Sequence, residues 1–142
     1  MLLGCVTAAP AVAQQGVEWQ GQAVGVVTAD RFAGAGPGVA WRTTRRLRFA
    51  AAVSAGGTAA GAAVRAEGTA TFHVTTARPN RLAPYAGGGA AVTADAEGVR
   101  ERLVVLIGVE GRPGHRVGWF VDVGVGGGLR FSLGFRFRPG GD

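Results

Sequence analysis

The sequence contains no lysine. Its fifteen basic residues are all arginine and outnumber nine acidic ones, for a formal net charge of +6. No segment gathers those arginines into a dense tract; they are scattered among strand-like stretches and turns, which argues against a nucleic-acid partner. Charged residues make up only 17% of the chain, too few to keep it open by its own repulsion. Cysteine is limited to Cys5, histidine to His73 and His115, and serine to Ser54 and Ser132. That leaves no disulfide framework, no metal-ligand spacing and no motif for a cofactor. The glycine-rich runs Gly34 to Gly38 and Gly124 to Gly128 are followed by no helical pattern, so neither is a phosphate-binding loop. After the first thirteen residues no apolar run reaches the roughly eighteen residues of a transmembrane helix.

What the chain has instead is alternation. Val64, Ala66, Gly68, Ala70, Phe72 and Val74 interleave with Arg65, Glu67, Thr69, Thr71, His73 and Thr75. A period of two marks a strand with one face in an apolar medium and the other in a polar one. Seven further strands are predicted: Glu18 to Thr28, Ala35 to Thr43, Leu47 to Ala55, Leu82 to Thr93, Arg102 to Arg112, Val117 to Val125 and Leu129 to Arg138. Turn signals separate them at regular intervals, the rhythm of an up-and-down sheet. Arg45-Arg46, Arg78 to Arg81 and Arg112 to Arg116 make short basic turns at one end. Asp30 to Gly34, Gly56 to Gly61, Asp95 to Glu101 and Gly126 to Gly128 are read as loops at the other.

Residues 2–13 are an apolar run ending in Ala11-Val12-Ala13, a small-x-small cleavage pattern, with no basic region ahead of it. They read as the later part of a secretion signal, cut after Ala13, with residues 14–142 as one domain. Leu2-Leu3-Gly4-Cys5 also fits a lipidation box, in which Cys5 would carry the lipid.

Behind an export signal, alternation can be turned inside out, with lipid against the apolar face and polar groups within. The expected fold is therefore all-β: an eight-stranded, antiparallel, up-and-down transmembrane β-barrel. Closure is required because lipid cannot satisfy an open sheet edge. Trp19, Trp41, Phe49, Phe72, Tyr85, Trp119, Phe135 and Phe137 are all placed at the end that holds the termini, as an aromatic belt at the lipid–water boundary. The inward set is Glu18, Gln20, Gln22, Arg42, Arg48, Arg65, Glu67, Thr69, Thr71, His73, Glu110, Asp122, Arg130, Ser132 and Arg136.

On these features the chain resembles the small eight-stranded bacterial outer-membrane barrels that include the OmpA, OmpX and OmpW types. The resemblance rests on Leu82-Ala-Pro-Tyr-Ala-Gly-Gly-Gly-Ala90, on Gly108-Val-Glu-Gly-Arg-Pro-Gly114, on Phe120-Val-Asp-Val123 and on the amphipathic last strand. It departs from such chains in running on past Phe137 with Arg-Pro-Gly-Gly-Asp. It implies a monomer in the outer membrane of a Gram-negative cell, with membrane lipid and the outer-membrane assembly machinery as partners.

Two expectations compete for the interior. One is a plug of arginine–carboxylate pairs with a structural or membrane-stabilising role, since buried charges must be paired. The other is a narrow passive path for a small solute, or a lateral opening for an apolar one. Lipid A-modifying enzymes share this architecture, but they need a serine, a histidine base and an orienting acid together. His73 and Ser132 fall on strands four and eight, so no enzyme is expected. A soluble lipocalin-like barrel would instead require an apolar interior.

Overall fold

The computed structural model describes residues 16–27, 31–74, 81–112 and 115–139. The expected signal segment, Cys5 and the turn residues Pro79-Asn80 and Pro113-Gly114 lie outside the described residues. Within them are β1 (Val17–Val27), β2 (Phe32–Arg42), β3 (Leu47–Thr58), β4 (Gly61–His73), β5 (Ala83–Asp95), β6 (Gly98–Gly111), β7 (Val117–Val125) and β8 (Leu129–Phe137). Each strand pairs antiparallel with the next, and β8 returns to β1 through the register Trp19↔Phe137 to Val27↔Leu129. The sheet is a closed barrel. Closure leaves no lateral edge, the condition for placing a sheet in hydrocarbon.

Alternation fixes the two faces. On β8, Arg130, Ser132, Gly134 and Arg136 are buried while Leu129, Phe131, Leu133, Phe135 and Phe137 are exposed. β4 repeats this with Arg65, Glu67, Thr71 and His73 inside and Val64, Ala66 and Phe72 outside. A contiguous outer wall of Val, Leu, Ile and Phe is an aggregation surface in water and a fitting surface in lipid. The wall is uneven: β6 to β8 present mostly Val, Leu, Ile and Phe, whereas β1 to β5 intersperse alanine and glycine with large side chains such as Trp19, Trp41, Val53, Val64 and Phe72.

Strands β2, β3, β4 and β6 reach further toward the distal end than their sequence patterns indicate. β3 continues to Thr58 and β4 starts at Gly61, so Gly56 to Gly61 is not a loop but a hairpin tip turning at Ala59-Ala60. β6 starts at Gly98 rather than Arg102, pairing it with Asp95 around Ala96-Glu97. Gly61 (φ +113°) and Gly98 (φ +133°) supply the left-handed backbone that lets both chains reverse in two residues. β2 also begins earlier, at Phe32 rather than Ala35. The β5–β6 hairpin stands beyond the shorter β7, which pairs with β6 only from Val105 to Gly111.

Strand approach is tight where β2 crosses β3. A Cβ built on Gly36 would lie 1.9 Å from the Val53 carbonyl oxygen, whereas one on outward-facing Gly68 meets nothing within 4 Å. Gly36→Ala is therefore expected to lower stability by about 1–3 kcal/mol through overpacking, and Gly68→Ala to change it by less than about 0.5 kcal/mol. Urea midpoints of the two variants in lipid vesicles check this pair; equal midpoints would contradict it.

Candidate functional site

Toward the end distal to the termini, Val24, Val26, Phe32 and Ala63 form one apolar cluster on the β1, β2 and β4 side of the lumen. A second cluster joins Tyr85, Ala91, Val104 and Leu106. The inside is therefore not polar throughout. Phe32 falls within the loop that the sequence pattern predicts over Asp30 to Gly34; because β2 starts there, strand phase turns it inward.

Beside the first cluster lies an ion-paired network. Glu67 accepts from Arg65 Nε at 2.7 Å and from Arg130 Nη2 at 2.6 Å. Arg130 also donates to Asp122, which accepts from Ser132 Oγ at 3.1 Å and from Tyr85 OH at 3.1 Å. Arg65 reaches on to Thr93 Oγ1 and to the Gly126 carbonyl, tying the network to the β7–β8 turn. Two carboxylates meet two guanidiniums here, so formal charge balances.

Nearer the termini the balance fails. Glu18 accepts from Arg42, Arg48, Arg136 and Arg138, the last at 2.5 Å. Glu110 is held bidentately by Arg42 Nη2 at 2.7 and 2.9 Å and faces His73 Nε2 at 3.3 Å. Arg48 also donates to Gln20, and Gln20 to Gln22. Arg136 donates to the Arg112 carbonyl, and its guanidinium lies over Gly118, where an added Cβ would meet it at 2.7 Å. Arg45, Arg46, Arg81, Arg112 and Arg116 add exposed positive charge at the same end. At the distal end Arg100 pairs with Asp95 and Glu97, and Thr58 donates to Asp95. Among the described residues the positive excess is thus concentrated at one mouth.

The inward set predicted from sequence lines the lumen: Glu18, Gln20, Arg48, Arg65, Glu67, His73, Glu110, Asp122, Arg130 and Arg136 are buried, and Arg42 is nearly so. Trp19, Trp41, Phe72, Phe135 and Phe137 are exposed on the outer face, with Phe49 and Trp119 partly so. Trp41 stacks on Phe49 at 5.9 Å between ring centroids. Tyr85 is a correction. It is 5% exposed, pairs across the ladder with His73 and points into the lumen, where its hydroxyl reaches Asp122. The glycine- and alanine-rich start of β5 offers no alternation from which to phase it, so only pairing with β4 reveals its face.

Ser132 and His73 are not brought together. Ser132 donates to Asp122, whereas His73 lies between Glu110 and the Arg46 carbonyl. Among the described residues no cluster of His, Cys, Asp or Glu is arranged to hold a metal ion. A cavity of about 20 Å³ remains in the middle of the lumen, lined by residues that include Gln20, Arg48, Glu67, Tyr85 and Asp122. That is room for about one water.

No protein-family model matches the chain, and no curated protein matches it. Among solved structures, the N-terminal β-barrel domain of Pseudomonas aeruginosa OprF superposes with a TM-score of 0.61 at 17% identity, covering 88% of this chain and 99% of that one. Neisserial surface protein A gives a TM-score of 0.61 at 15% identity, covering 86% of this chain and 95% of that one. The chain has the fold of the small outer-membrane barrels. An eight-stranded barrel is narrow, and the inward side chains named above line its lumen.

Glu67 is the carboxylate shared by Arg65 and Arg130, so Glu67→Gln should leave buried guanidinium charge uncompensated and cost about 3–5 kcal/mol. Glu101→Gln, on the exposed tip of β6, should change stability by less than about 0.5 kcal/mol. Urea midpoints in the same vesicles test both; a harmless Glu67→Gln would mean that the network carries little of the fold.

Proposed function

We propose that the protein is a monomeric bacterial outer-membrane barrel whose lumen is closed to solutes and whose role is structural, stabilising the membrane it spans. The carrying observation is that the distal half of the lumen holds, side by side, the apolar cluster of Phe32, Val24, Val26 and Ala63 and the paired charges of Arg65, Glu67, Arg130 and Asp122, with Arg130 in register with Val26. An ion entering from the terminus side meets the paired charges and, beside them, apolar side chains. Each is costly to cross: one requires breaking buried pairs, the other shedding hydration.

On this reading export delivers the chain to the periplasm, the outer-membrane assembly machinery inserts it, and both termini stay on the periplasmic side. The aromatic residues at that end then lie at the lipid–water boundary, where amphipathic rings are favoured. The separation of Ser132 from His73 supports a non-enzymatic role.

Planar-bilayer recording tests the closed lumen. The wild-type barrel is expected to show no steady conductance above baseline. Phe32→Ala combined with Glu67→Ala and Arg130→Ala, which removes both barriers, should produce discrete openings. Steady, salt-dependent conductance from the wild type would overturn the closed lumen and favour a narrow passive pore.

A further inference from the structure

We infer that the terminus-side mouth is a binding site for a phosphate group, carried either by an anionic phospholipid head group or by a free phosphate. The first ground is stoichiometric. Arg42, Arg48, Arg136 and Arg138 converge there on Glu18 and Glu110. Each guanidinium brings about five N–H donors and each carboxylate about four acceptor positions. Donors exceed acceptors, and formal positive charge exceeds negative before the turn arginines are counted.

The second ground is independent of the first. The Nε atom of Arg138 is buried without a hydrogen-bond partner among the described residues, whereas Arg136 Nε already faces Glu110 Oε2 at 3.6 Å. A buried donor left unmade is costly, and an anionic oxygen is the group that would satisfy it. Arg138 and Arg42 are also the members of the cluster that remain reachable, their side chains 20% and 11% exposed. A ligand approaching from outside therefore meets guanidinium rather than carboxylate, because Glu18 and Glu110 lie behind at 0% and 1%.

The third ground is position. Arg45, Arg46, Arg112 and Arg116 project from the turns of the same mouth, and Arg46 lies over the Phe72 ring at 6.0 Å. Guanidinium groups just beyond an aromatic band stand at head-group depth, where basic side chains attract anionic lipid and bind phosphate bidentately. The mouth is blind, since the apolar cluster at Phe32 lies at the other end. A phosphate can dock there without a path through.

The inference rests on the chain being a membrane barrel, and vesicle flotation tests that condition first: a chain that does not float with lipid refutes the barrel in membrane, not the site. Full-length protein in phosphatidylcholine vesicles, with and without a minority of phosphatidylglycerol, is then extracted into detergent and its retained lipid measured. Trp19, Trp41 and Trp119 all belong to this end, so tryptophan emission reports on it while inorganic phosphate is titrated against chloride at constant ionic strength. Phosphatidylglycerol is expected to be retained about tenfold over its share of the bilayer. Replacing Arg45, Arg46, Arg112 and Arg116 by Gln, or Arg138→Gln alone, should lower that enrichment, and distal Arg31→Gln should leave it intact. Enrichment assigns the phosphate to a lipid head group. A saturable emission shift with inorganic phosphate, abolished by Arg138→Gln and without lipid enrichment, assigns it to the aqueous compartment. Neither enrichment nor a shift, or an equal loss in Arg31→Gln, overturns the site.

Discussion

Inward-facing charge is the constraint on which the rest of this structure depends. Strand alternation sends Arg48, Arg65, Arg130 and Arg136 into a lumen too narrow to hydrate them, so each needs a carboxylate within reach. Glu18, Glu67, Glu110 and Asp122 provide those partners from β1, β4, β6 and β7. The pairs join strands that are not neighbours in the sheet: Arg130 of β8 meets Glu67 of β4, and Arg42 of β2 meets Glu110 of β6. They brace the barrel across its diameter, where ladder hydrogen bonds cannot act. A slip of one residue in any of these strands would turn its charges toward the outer wall and its apolar residues inward, so the network also specifies register.

The lumen changes character along its axis, and the change has a consequence for direction. Charge-balanced in its distal half, where an apolar cluster lies beside the ion pairs, and arginine-rich at the termini, it is asymmetric although the outer wall is apolar all round. Hydrocarbon can contact either half of that wall, but among the described residues positive charge concentrates at one mouth. The barrel therefore has an electrostatic polarity that its fold alone does not impose. The outer wall carries a second asymmetry: large side chains run nearly continuously on β6 to β8 and are interspersed with alanine and glycine on β1 to β5.

Strand number, order and face were legible in the sequence wherever large and polar residues alternate. β4 and β8 show this best, because Arg65, Glu67 and His73, or Arg130, Ser132 and Arg136, alternate with apolar residues that leave one choice of phase. Legibility fell where the chain turns to glycine and alanine. Around Tyr85 nothing marks the phase, and the aromatic ring suggested a belt position that cross-strand pairing with His73 reverses. At the hairpin tips, Gly-Gly-Thr and Asp-Ala-Glu-Gly have loop composition but belong mostly to strands, since pairing with a neighbour overrides weak local preference. Which arginine meets which carboxylate was beyond reach, because those contacts span the lumen between distant parts of the chain. The apolar distal cluster stayed hidden for the same reason: Phe32 joins Val24, Val26 and Ala63 only after the ring has closed.

A closed sheet around a buried ion-pair core, with its apolar face outward in lipid, is the central claim. Gel mobility of detergent-refolded protein, compared before and after boiling, addresses it most directly. A closed barrel resists dodecyl sulfate until heated, so the account predicts that the unboiled and boiled samples run at different positions. A single position for both, from protein that also stays soluble without detergent, would contradict it and turn the faces of the sheet the other way.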